Sequence, residues 1–115
     1  MNKYLGLAVI IIIVVGATIT GGGISPFIDT MALIFVLGIG FGHALGAKDG
    51  ESKITRFGDG SVRGGWLGLL VGLVLIAGTD GAAQMDFAMI MPAMAVALLT
   101  PFYGYFFKVI SMQLD

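Results

Sequence analysis

The sequence predicts an all-α integral membrane protein, a single domain over residues 1–115 with four transmembrane helices. Three observations predict it. The chain is 57% hydrophobic, carries 6 Lys and Arg against 7 Asp and Glu, and has a mean hydropathy of +1.01. A water-soluble domain of this length has too little interior to hide so much apolar surface. Hydropathy then divides the chain into apolar stretches at 4–20, 28–47, 65–79 and 87–107. Finally, Lys3, Lys48, Lys53, Arg56, Arg63 and Lys108 all fall on one side of a four-span, up-and-down arrangement. The other side carries only Asp29, Asp80 and Asp86. Because positive residues are retained in the cytoplasm, both termini and a short loop over 48–64 are expected there.

Each span has its own justification. Crossing the hydrocarbon takes roughly 20 helical residues, with about 17 tolerated. The first, second and fourth stretches qualify, and the third is short and gains length from its flanks. The first stretch follows Lys3 but has no small-x-small cleavage site before the next span, so it reads as a helix of the protein rather than a signal peptide. Ser25 and Pro26 read as the cap and first-turn proline of the second helix. Asp86 reads as the cap of the fourth. Trp66, Tyr103 and Tyr105 are expected at the cytoplasmic boundary, where rings with a polar edge settle.

Small residues recur at helical spacing. Gly38, Gly42 and Gly46 mark the second helix; Gly64, Gly68 and Gly72 the third; Ala93, Ala97, Thr100 and Gly104 the fourth. Such faces let backbones approach closely, which in lipid replaces a hydrophobic drive between helices. They serve packing within the chain, contact with other copies, or both. "GDGSVRGG" reads as a flexible connector.

The fourth stretch contains Pro92 and Pro101, which deprive the carbonyls of Ala88 and Ala97 of their helical partners. Two readings follow. The Thr100 hydroxyl bonds back to the carbonyl of Ala97 or Val96 and mends the kink, or Thr100 and Ala97 line a polar seam. No Asp, Glu, Lys or Arg stands in the middle of any expected span, although an ion pathway normally marks itself with one. His43, near the end of the second helix, reads as an interfacial hydrogen-bonding residue. One histidine and no cysteine give no metal site, and no nucleophile stands beside a base, so neither an enzyme nor a cofactor is expected. A net charge of −1 argues against nucleic acid.

"GGGISPFIDTMALIFVLGIGFGHALGA" resembles the first hairpin of the flagellar stator subunit MotA. "GWLGLLVGLVLIAG" looks like that family's third helix and "IMPAMAVALLTPFYG" like its fourth. The wider family includes ExbB and TolQ. The resemblance implies a homo-oligomeric inner-membrane ring of five subunits around a single-span partner of the MotB, ExbD or TolR type. The partner's aspartate carries a proton or sodium ion past threonines of the third and fourth helices. Carried onto this chain, the seam would hold Thr100, Ala97, Pro101 and Leu69. Leu69 and Pro101 stand where the family has threonines, Val62 stands where it has a proline, and the large cytoplasmic segment that grips the rotor is missing between the second and third helices. The expected function is therefore a MotA-like subunit of an ion-driven complex in the bacterial inner membrane. The alternative is a non-conducting structural ring or scaffold.

Overall fold

In the computed structural model, which describes residues 2–115 apart from the side chains at 81 and 82, every regular element is helical. The order is α1 (Asn2–Thr20), a 3-10 turn (Ser25–Phe27), α2 (Thr30–Leu45), α3 (Lys53–Ala77), a one-turn α4 (Asp80–Ala83) and α5 (Phe87–Leu114). Helices α1, α3 and α5 are long and apolar enough to cross a membrane.

Two boundaries differ from expectation. The second stretch was expected to span, but its helix has only 16 residues, about 24 Å. Asp29 caps α2, its Oδ2 accepting from the Ala32 N–H at 2.9 Å. Ser25 and Pro26 do not start that helix; they form the separate turn before it. The third helix, expected to be short, has 25 residues because it starts at Lys53, inside the expected 48–64 loop. Ser52 caps it by accepting from the Thr55 N–H at 3.2 Å. The glycines of "GDGSVRGG" are helical because neighbouring helices press on them. A Cβ on Gly60 would lie 2.6 Å from His43 Cβ, and one on Gly64 would lie 3.0 Å from Ile39 Cβ. Each helical glycine costs about 0.5–1 kcal/mol, which close packing offsets.

The helices run antiparallel, with α3 packed on α5 and α2, and α1 packed on α5. Gly58 meets Ser111, Gly72 meets Ala97, Gly40 meets Ser61 and Gly6 meets Gln113. This register gathers Lys3, Lys48, Lys53, Arg56 and Lys108 towards one end, with Arg63 further along α3. The Cα trace measures 53 × 36 × 15 Å, little more than one helix thick. Its accessible surface is 7384 Å², against about 6,000 Å² for a soluble monomer of this mass. The core is correspondingly small: Ala32, Val36, Leu99 and Tyr103, with Phe27, Leu33, Phe102 and Phe107 against it.

The end opposite the cations is stepped. Asp29 and Ala32 lie beside Gly72 and Ala97, so α2 begins well below the tip of the α3–α5 hairpin. About ten residues of α5, or roughly 15 Å, continue past it. Asp29 therefore does not stand level with Asp80 and Asp86, as the sequence suggests.

Candidate functional site

The α3–α5 contact is built from residues too small to hold helices apart. A Cβ on Gly65 would lie 2.6 Å from the Thr100 carbonyl oxygen and 2.8 Å from Pro101 Cα. One on Gly68 would lie 2.8 Å from Thr100 Cγ2, and one on Gly72 would lie 2.8 Å from Ala97 Cβ. Gly104 sits equally tightly on the Ser61 carbonyl. Thr100 is 6% exposed, and its Oγ1 donates to the Ala97 carbonyl at 2.8 Å. The oxygen that Pro101 deprives of a partner is thus satisfied locally, and α5 runs unbroken through both prolines.

Beside this contact, an open groove of about 500 Å³ runs between α2, α3 and α5. Asp29, Gly68, Gly72, Ala93, Ala97 and Thr100 are among its lining residues. Of the four expected seam residues, the groove takes Thr100 and Ala97. Pro101 is buried over Gly65 and borders a different pocket, between α1 and α5. Leu69 is half-buried on α3 and lines neither.

The glycine stripes divide as well. Gly64, Gly68, Gly72 and Gly104 pack within the chain. Gly46 lies against the Arg56 guanidinium. Gly38 and Gly42 are exposed, and a Cβ on either would meet nothing within 4 Å. The face of α2 that packs inward carries Ala32, Val36 and Gly40 instead, two residues out of phase with the stripe the spacing suggests and so on roughly the opposite side of the helix.

Tyr103 departs furthest from expectation. It is buried against neighbouring elements, 8% exposed. Its hydroxyl donates to the Phe27 carbonyl at 2.5 Å and accepts from the Asp29 N–H at 2.8 Å. It thereby fixes the α1–α2 connection against the middle of α5. The signal was present: an Asp directly before an apolar run is a helix-start pattern, and "IDTMA" carries it. Trp66 and Tyr105 do pair, with Trp66 Nε1 donating to the Tyr105 hydroxyl at 3.2 Å and the rings edge-on.

Charged groups concentrate at the basic end. Lys108 donates to Asp59 at 2.5 Å. Arg56 Nε donates to the His43 carbonyl at 2.8 Å, and its guanidinium lies 3.4 Å from both His43 Nδ1 and Glu51. The Lys48 N–H bond and then Arg56 hold the Glu51 carboxyl below its ordinary range. Hydroxyls of Ser52 and Thr55 do the same for Asp115. Among the described residues there is no cluster of three His, Asp or Glu that could hold a metal. Compared with known proteins, the chain matches no family model, no curated protein and no solved structure.

Proposed function

We propose that the chain is a MotA-like subunit of the bacterial inner membrane, multi-pass with both termini cytoplasmic, that assembles as a homo-oligomeric ring and works with a single-span, Asp-bearing partner. One observation carries the reading. The segments that resemble the family's third and fourth helices pair directly, and Thr100 and Ala97 of that pair line an open groove. A groove walled by small residues, with a hydroxyl at its floor, suits passage of a proton or sodium ion beside a second helix.

A non-conducting structural ring is the second reading, and a specific observation favours it. The Thr100 hydroxyl proton is already committed to the Ala97 carbonyl, so it is not free to serve an ion. Two measurements separate them. Mass analysis of the complex purified in mild detergent counts the copies and identifies any single-span companion. Ion flux in liposomes then compares the wild type with Thr100→Val. A companion helix and reduced flux support the stator-type reading. Copies alone, with flux absent in both proteins, support the structural ring.

A further inference from the structure

A second groove, of about 340 Å³, opens at the basic end of the molecule, where α2 stops and α3 starts. Phe41 and Ala44 of α2, Ile54 and Phe57 of α3, and Leu114 of α5 form its walls. The Phe41 and Phe57 ring centroids lie 5.0 Å apart, so two of the walls brace each other. Phe41 is nevertheless 58% exposed and Ile54 42%. A preformed apolar trough of this kind suits a hydrocarbon chain.

Lys53 is the one charged residue on the lining. A lysine stem lies readily along an apolar wall while its ammonium reaches outward. The carboxylates around it are engaged elsewhere. Asp59 takes Lys108 and Glu51 takes Arg56, while the Asp115 carboxylate accepts from the Ser52 and Thr55 hydroxyls. Among the described residues no carboxylate pairs with Lys53. Ser111 also lines the groove, and its hydroxyl donates to the Lys108 carbonyl at 2.8 Å. The groove therefore offers hydrocarbon contact and a single unmatched positive charge.

That combination selects the occupant. A free phosphate or an acidic peptide matches the charge and wastes the walls, whereas an uncharged helix matches the walls and leaves the charge. We infer that the groove is a site for an anionic phospholipid, one acyl chain lying against Phe41, Ile54 and Phe57 and the phosphate resting on the Lys53 ammonium. The inference goes beyond the proposed function. It rests only on the chain being a membrane protein, and it holds for a conducting complex and a structural ring alike.

The test is native mass analysis of the full chain in mild detergent, titrated with phosphatidylglycerol or with phosphatidylcholine of the same acyl chains. The first lipid carries a net negative charge and the second does not, so the apolar contact is common to both. One phosphatidylglycerol per chain should be retained about five-fold more strongly, the order of effect that one lysine exerts on an anionic lipid. Lys53→Gln should abolish the preference. Lys48→Gln, outside the groove, should keep it. Ala44→Phe, which fills the groove, should weaken both lipids. Equal retention of the two lipids by the wild type would overturn the proposal, and that comparison stands even if a variant does not fold. So would a preference that survives Lys53→Gln or is lost equally in Lys48→Gln, lipid binding indifferent to Ala44→Phe, or a companion protein bound in place of lipid. Because the measurement involves no flux, its failure is distinct from failure of the stator-type reading.

Discussion

Helix α1 is more apolar than α3, yet none of its residues is buried, whereas α3 buries Gly58, Gly60, Ser61, Gly64, Gly65 and Gly68. The contrast shows what holds helices together where lipid is the solvent. Acyl chains cover leucine and isoleucine as well as another helix does, so apolar content gives no preference for protein contact. Close approach of backbones does, and α3 supplies it with glycine while α1 supplies little. The two regions also sit at different heights. Gly6 lies by Gln113, which sets the middle of α1 level with Lys108 rather than with the centre of the α3–α5 span. No single hydrocarbon layer of about 30 Å covers both apolar stretches, and exposed Phe41 and Leu45 of α2 have no covering helix in this chain.

The sharpest way to break this comparison is to add one methyl group to the tight region. Gly65→Ala forces a Cβ against backbone atoms of Thr100 and Pro101. It should cost about 1–3 kcal/mol as an overpacked contact, read as a lower thermal midpoint in detergent. Tyr103→Phe comes next. Losing the hydroxyl leaves the Phe27 carbonyl and Asp29 N–H unpaired, for about 1–3 kcal/mol, and should speed amide exchange around 24–29. Thr100→Val removes the bond to the Ala97 carbonyl and should cost about 1 kcal/mol in the same melting assay.

The loose region should answer in the opposite direction. Gly38→Ala and Gly42→Ala meet open space, so each should raise helix stability by about 0.5–1 kcal/mol. If either variant instead lowers the number of copies counted by mass analysis, the exposed stripe is an interface between subunits. The smallest effect belongs to the basic end. Glu51 and Asp115 are both held below their ordinary values of 4.5 and 3.8. Their stabilising contribution is therefore present above those values and is lost as the pH falls through the lowered ones. Melting followed from neutral to acidic pH should show this loss, and Glu51→Gln should reduce it.

Much of this was legible in the residues, and the failures have a common cause. Helix type and the Asp86 cap, whose Oδ1 accepts from the Ala88 N–H at 3.1 Å, follow from local pattern, whereas the Trp66–Tyr105 contact between two helices does not. The residues left both readings of Thr100 open, and the structure shows its bond to the Ala97 carbonyl together with its place in the lining of the groove. The helical start at Lys53 was hidden because glycine in "GDGSVRGG" signals flexibility by itself and close packing only when a second helix is present. The step that places Asp29 beside Gly72 and Ala97 was hidden for a related reason. Sequence order says which side of a span a loop lies on, and it carries no information about how far neighbouring helices are offset along their axes.

The most direct measurement of the α3–α5 register, on which the groove depends, uses the lack of native cysteine. Gly72→Cys combined with Ala97→Cys should form a cross-link within one chain on mild oxidation, since a Cβ at Gly72 lies beside Ala97 Cβ. The product should migrate as a monomer that reducing agent alters. A cross-link found only between chains, or none at all with both thiols reactive, would contradict the α3–α5 hairpin from which the groove is built.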